Sequence, residues 1–215
     1  MCGRLTITHP TEAMARLFGA AMANDLPQGP NYNLCPTQPV AVVTGGMARH
    51  LRPMRWGFIP SWYKSPTDGP LIINARADTV AIKPAFREAI RARRCILPAS
   101  GFYEWSAGPD KSRLPWHLTR RDGAPFAFAA LWQSFGDIDT VAMVTTDAGP
   151  DMAPIHDREP VILESADWPL WLGEAGHGAA RLMRPSTGIL QSHRVAVEVN
   201  SNRAAGEHLI APIPA

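Results

Sequence analysis

The chain has 215 residues, 46% of them hydrophobic and 19% charged, with a formal net charge of +2. That balance excludes a disordered or collagen-like chain and a bulk-electrostatic nucleic-acid binder, and the length suits one domain, residues 1–215, with its own core. No run of 18 apolar residues and no basic start followed by an apolar stretch is present, so a cytoplasmic protein is expected. Three cysteines, Cys2, Cys35 and Cys95, lack the paired spacing of zinc ribbons and redox motifs, so neither metal nor disulfide is expected.

A first helix is predicted to open near Thr11, with Met14, Leu17 and Phe18 at helical spacing and Gly19 as its stop. The segment from there to Pro39, rich in proline, glycine and asparagine, reads as a long irregular loop before an apolar strand over 40–44. A second helix is predicted from Pro84, a residue suited to a first helical turn, with Arg87, Arg91 and Arg94 along one side. Strand-like runs recur at 71–73, 95–97, 116–119, 126–132, 141–145, 161–163 and 195–199, and in Phe126, Phe128, Ala130 and Trp132 the apolar period of two is plain. Helices are few and do not alternate regularly with strands, which predicts an α+β fold with a mixed, barrel-like sheet core flanked by a few helices. No repeat, phosphate loop or dinucleotide fingerprint occurs, which argues against nucleotide hydrolases and dehydrogenases; no cofactor is expected.

Residue 2 carries the most chemistry. Initiator methionine is generally removed when a small residue follows, and loss of Met1 would give Cys2 an α-amine beside its thiol. Such an amine titrates near 8, far below lysine, so a useful fraction is neutral at physiological pH. A 1,2-aminothiol condenses with an aldehyde to an imine, and its sulfur then closes a thiazolidine ring on the same carbon. A small buried cysteine is the plainer alternative for Cys2.

Polar clusters in apolar surroundings follow: Tyr32-Asn33-Leu34-Cys35-Pro36, Trp56-Gly57, Asn74-Ala75-Arg76, Phe102-Tyr103-Glu104-Trp105 and His156-Asp157-Arg158-Glu159-Pro160. With the initial Met1-Cys2-Gly3-Arg4, this ordered set resembles the SRAP family, the SOS-response-associated peptidases that include abasic-site processing proteins, over essentially the whole chain. The resemblance implies that Cys2 forms the thiazolidine with the aldehyde of an abasic site in single-stranded DNA, while Asn74, Glu104 and His156 line the pocket. In those roles Glu104 is the expected general acid/base, with Trp105 and Tyr103 desolvating it; His156 handles protons near neutral pH, and Asn74 orients the amine.

Arg4, Arg76 and Arg158 are expected to hold phosphates, and Trp62 and Tyr63 to stack on a base or wedge beside the lesion. Asn33 completes the DNA-contact set, with Pro36 as an apolar shelf and Thr145 as a backbone or hydroxyl contact. Two departures from the family pattern stand out. Glu159 puts a carboxylate beside Arg158, where it is expected to weaken DNA affinity, and the loop over 61–70 inserts five residues after the aromatic pair. The resemblance leaves three readings open: a covalent DNA-damage sensor, with or without β-elimination; a cysteine peptidase, either general or confined to autoproteolytic removal of Met1; and a non-covalent DNA-binding module. A monomer is expected, associated with the nucleoid when DNA-bound.

Overall fold

The computed structural model describes residues 2–213. Its first seven strands are β1 (Leu5–Ile7), β2 (Ala20–Met22), β3 (Asn31–Leu34), β4 (Pro39–Thr44), β5 (Arg49–Trp56), β6 (Asn74–Arg76) and β7 (Arg94–Ala99). Six more follow: β8 (Gly101–Ala107), β9 (Arg113–Arg120), β10 (Phe126–Phe135), β11 (Ile138–Asp147), β12 (Arg158–Pro160) and β13 (Leu190–Arg194). The helices are short: α1 (Thr11–Phe18), α2 (Ala89–Ala92) and α3 (Trp168–Leu172). No helix among the described residues is long and apolar enough to cross a membrane.

The expected α+β, barrel-like class is what forms. β11 pairs with β10, β10 with β7, β7 with β4 and β4 with β5, all antiparallel, and β5 returns to β11 in parallel, closing a five-stranded ring. The period of two then sorts side chains into two clusters. Val40, Val42, Met54, Trp56, Leu97, Phe128 and Met143 fill one, while Val43, Leu51, Ile96, Ala129 and Val144 face the other way onto Phe18 of α1 and Trp171 of α3. A second sheet, ordered β13-β9-β8-β1-β3, adds Cys2, Leu5, Leu34 and Phe102 to the first cluster. Cys2 thereby belongs to the same apolar body as the ring strands.

Several elements differ from the sequence-based expectation. α1 lies where expected, ended by Gly19 at φ 60°, but Leu17 is exposed and Ala15 takes its place in the core. The predicted loop to Pro39 contains β2 and β3, short strands whose polar residues hide the pattern. The helix predicted from Pro84 is one turn only, because Arg94 starts β7 and its guanidinium donates to the carbonyls of Ile90, Arg91 and Trp171. Arg94 therefore shares no basic face with Arg87 and Arg91. The run over 161–163 contributes an isolated bridge at Ile162 after β12, and most of 195–199 falls in a 3-10 turn beyond β13.

Beneath the second sheet lies His117, 4% exposed, with Nε2 3.1 Å from Thr6 Oγ1 and its ring 5.0 Å from Tyr103. Burial, helped by His193, depresses its pKa to about 3. A depressed pKa means the neutral ring is the form that folds: this contribution is intact above the unfolded value of 6.5 and is lost as pH falls toward 3. Between pH 6.5 and pH 5 the protein should lose up to about 2 kcal/mol of stability from this group, and His117→Gln should flatten the loss in chemical denaturation at the two pH values.

Candidate functional site

The four residues expected to act on the lesion come from both sheets. β6 lies parallel to β11 with Asn74 opposite Met143 and Arg76 opposite Thr145, so Asn74 and Arg76 share a face while Ala75 enters the core behind them. Asn74 Nδ2 donates to the backbone carbonyl of Cys2 at 3.0 Å. Asn74 Oδ1 is buried and has no hydrogen-bond partner among the described residues. The Cys2 thiol is buried, its Sγ 4.0 Å from the carbonyl oxygen of Arg4. Desolvation and then the nearby charge of Glu104 push its pKa far above that of a free thiol. Met1, whose loss was expected, lies outside the described residues.

Glu104 is 2% exposed and accepts the Trp105 amide N–H on Oε1 at 3.2 Å. Its burial has a different origin from the expected one. β8 alternates, so Tyr103 and Trp105 belong with Val195, Val199 and Leu209, whereas Phe102 belongs with Cys2. Glu104 is thus enclosed from the Cys2 side and not by its aromatic neighbours in sequence. His156 follows Ile155, a member of the Cys2 cluster, and precedes β12. Its Nδ1 lies 3.0 Å from the Arg158 amide nitrogen and 2.8 Å from an Asp157 carboxylate oxygen, so the loop fixes that edge of the ring.

The expected DNA contacts separate into exposed and internal groups. Trp62 is 56% exposed, and Pro36 is half-buried in the turn after β3. Tyr63 instead folds over Gly69, where a Cβ would meet the phenol oxygen at 2.3 Å. The inserted residues close this loop on itself, with the Lys64 amide donating to Asp68 at 2.9 Å. Arg76 is exposed and clasps Asp78 through Nε and Nη2 at 3.1 and 2.7 Å. Arg158 is almost fully buried: Nη2 donates to Thr145 O and Oγ1 at 2.9 and 3.0 Å, and its Nε lacks a partner among the described residues.

Three expectations are corrected by these contacts. Thr145 is buried and spends its hydroxyl on Arg158, which leaves it no surface for DNA. Asn33, 5% exposed, accepts from Arg4 Nη1 at 2.5 Å and donates to the carbonyls of Ser201 and Ala204 at 3.1 and 2.6 Å, so it is an internal clasp. Glu159 points away from Arg158, as successive strand residues do, and accepts the buried amides of Gly149 and Ser186 at 2.8 and 2.5 Å. Gly149 is held so close that a Cβ there would lie 2.0 Å from Ser186 O.

The segment over 199–204 was not anticipated. It runs across the second sheet, Val199 O accepting from Arg4 at 2.8 Å and Asn200 Oδ1 accepting from Trp105 Nε1 at 2.6 Å. The polar run Asn200-Ser201-Asn202-Arg203 after Val199 is the sequence signal that marks it. Arg4, expected on phosphate, is occupied here and lies 5.7 Å from the Trp105 ring.

The family model described as SOS response associated peptidase (SRAP) matches residues 1–202. The chain belongs to the SRAP family. It is 36% identical over 181 residues to the abasic site processing protein YoaM of Bacillus subtilis, covering 80% of this chain and 79% of that one. It is 31% identical to YobE of the same organism and 28% to YedK of Escherichia coli, both named abasic site processing proteins, covering 97% and 99% of this chain and 100% of each relative. A protein structure from Bacteroides thetaiotaomicron shares the fold at a TM-score of 0.87 and 22% identity, over 99% of this chain and 100% of that one. In this SRAP chain Asn33→Ala would strand one guanidinium donor and two carbonyls. The expected cost is about 2–3 kcal/mol in denaturant unfolding, with faster proteolysis around 199–204.

Proposed function

We propose that the protein processes abasic sites in single-stranded DNA, with Cys2 bonding covalently to the lesion once Met1 is lost. The observation that carries this reading is the seating of Cys2: its carbonyl held by the Asn74 amide, its thiol enclosed beside the Glu104 carboxylate. Asn74 Oδ1, one bond from the Nδ2 anchor's carbon, offers an acceptor for the α-amine, which turns the nitrogen lone pair toward an incoming aldehyde. The names of the relatives point to the same class of lesion.

The amine attacks the aldehyde carbon of the ring-opened sugar, and loss of water leaves an imine. Sulfur then adds to that carbon while its proton passes by way of Glu104 to the imine nitrogen, giving the five-membered ring; aldehyde plus aminothiol gives thiazolidine plus one water. His156, beside the same cluster, serves the sugar hydroxyls and the water. If the imine persists, the same intermediate allows β-elimination of the DNA strand. Exposed Arg76 and Trp62 take phosphate and base, and Arg158 stiffens the floor from within.

A peptidase reading needs a thiolate as its nucleophile. Here burial and Glu104 hold the thiol protonated, which favours the amine as the first nucleophile and disfavours turnover of peptides.

Intact mass after incubation with a single-stranded oligonucleotide bearing one abasic site tests the proposal. Protein lacking Met1 should gain the oligonucleotide mass less one water, and Cys2→Ala should gain no stable adduct. Turnover of peptides without adduct would move the assignment to the peptidase. Glu104→Gln should slow crosslinking by roughly 100-fold in a quenched time course, as loss of a general acid/base does. Asp78 competes with phosphate for Arg76, so Asp78→Asn should tighten non-covalent binding of undamaged single strands a few-fold at low salt.

A further inference from the structure

His156 stands in the loop over 148–157, which joins β11 to β12 without a regular element of its own. Two consecutive turns carry the chain to it. The Gly149 carbonyl accepts the Met152 and Ala153 amides at 3.1 and 2.9 Å, and the Met152 carbonyl accepts the Ile155 and His156 amides at 2.8 and 3.0 Å. The base of the loop is closed by the Ala148 amide, which donates to the Asp157 carbonyl at 2.9 Å. The place of the imidazole is therefore set from Gly149.

Gly149 is in turn set by Glu159. Its amide donates to Oε2 at 2.8 Å, while Oε1 takes the Ser186 amide at 2.5 Å. Glu159 is 1% exposed and meets these two amides, with no cation at ion-pair distance among the described residues. Burying a carboxylate without a cation is costly, and an apolar side chain would fill the space with less penalty. What a carboxylate offers and other side chains do not is two acceptor oxygens on one rigid plane, here one for each of two chain segments. Asp151, inside the first turn, acts alongside: it accepts the Leu190 amide at 3.1 Å and lies 3.8 Å from Arg121. The loop is thereby held at two points to the run over 186–190 that leads into β13.

We propose that Glu159 is a positioning residue for His156, fixing through Gly149 and the two turns where the imidazole meets the sugar of the lesion. The proposal rests on the Cys2 reading, in which His156 serves the sugar hydroxyls and the water. β12 then holds the histidine twice, directly through the Arg158 amide on Nδ1 at 3.0 Å and indirectly through the carboxylate of the next residue. A proton-handling group misplaced by a fraction of its hydrogen-bond length loses much of its effect, so a rigid loop is worth the buried charge. Glu159 acts on the rate of the chemistry and not on DNA affinity.

Glu159→Gln, His156→Ala and the double variant, all lacking Met1, test it in the quenched crosslinking time course. Glu159→Gln keeps the size but offers one oxygen to two amides. It should slow crosslinking about tenfold while binding of undamaged single strands stays within about twofold. His156→Ala should slow crosslinking at least as much, and the double variant should be no slower than His156→Ala, because no imidazole is left to misplace. A carboxylate that merely stabilises the fold would give multiplicative losses. That result, or a wild-type rate in folded Glu159→Gln, overturns the proposal. The imidazole cross-peak of His156 in proton–carbon NMR, assigned by its loss in His156→Ala, reads position without DNA. It should move in Glu159→Gln while that of His50 stays, and an unmoved peak overturns the proposal. Where the amide variant does not fold, Glu159→Asp, whose oxygens sit one methylene short of the two amides, carries the same measurements. If wild-type protein forms no adduct, the Cys2 chemistry falls and the NMR comparison still decides the role of Glu159.

Discussion

The structure turns on the hydrogen-bonded edges of β11. On one side it pairs first with β10 and then with β12; on the other, first with β5 and then with β6. Its first half closes the five-stranded ring, and its second half, past Met143, carries the site strands. Asn74 and Arg76 arrive from one edge, while Arg158, with His156 two residues before it, arrives from the other. A one-residue slip of β6 against β11 would turn Asn74 into the core and Ala75 toward Cys2. The observed register sets Ala75 opposite Val144, both fully buried in the same apolar cluster.

Around this frame the protein tolerates polar atoms that a core normally rejects. Asn74 Oδ1 and Arg158 Nε are buried without partners among the described residues, and such atoms cost about 1–3 kcal/mol each. They lie on residues paired with β11 at Met143 and Asp147, and the large apolar clusters on either side of the sheets offset the cost. A side chain already desolvated and held in place needs little rearrangement when substrate arrives, which is what preorganised electrostatics requires. Glu104 follows the same logic, a carboxylate enclosed with the thiol whose proton it affects.

Much of the ring was legible because its strands carry a clean period of two; β10 and β11 extend the predicted runs by only a few residues. β5 was hidden because Arg49, His50, Arg52 and Arg55 interrupt its apolar positions, yet Leu51, Met54 and Trp56 are buried. Arg94 was read as helical because a row of arginines at helical spacing looks the same whether the last one continues the helix or ends it. At the candidate site, the ordered motifs picked out Cys2, Asn74, Glu104 and His156, and the structure holds Asn74 against the Cys2 carbonyl and Glu104 near the Cys2 thiol. What they could not convey was which way neighbouring residues face. Glu159 beside Arg158, and Tyr103 beside Glu104, are adjacent in sequence and on opposite sides of a strand. Asn33 sits in one of the ordered motifs, but its carbonyl partners in Ser201 and Ala204 lie far away in the chain, and no local pattern encodes a clasp of that kind.

That clasp also orders events in time. Asn33 and its carbonyl partner in Ser201 are 168 residues apart, and Arg4 and Val199 are 195 apart. During synthesis the segment with Cys2 and Arg4, and then β3 with Asn33, emerge early and wait for almost the entire domain before the Arg4 guanidinium and the Asn33 amide find these acceptors. A nascent chain thus carries Cys2 long before it carries the C-terminal segment that ties this edge of the domain together. Until that clasp closes, the segment around Cys2 lies outside a finished fold, so the last residues of the domain decide when the first ones are enclosed.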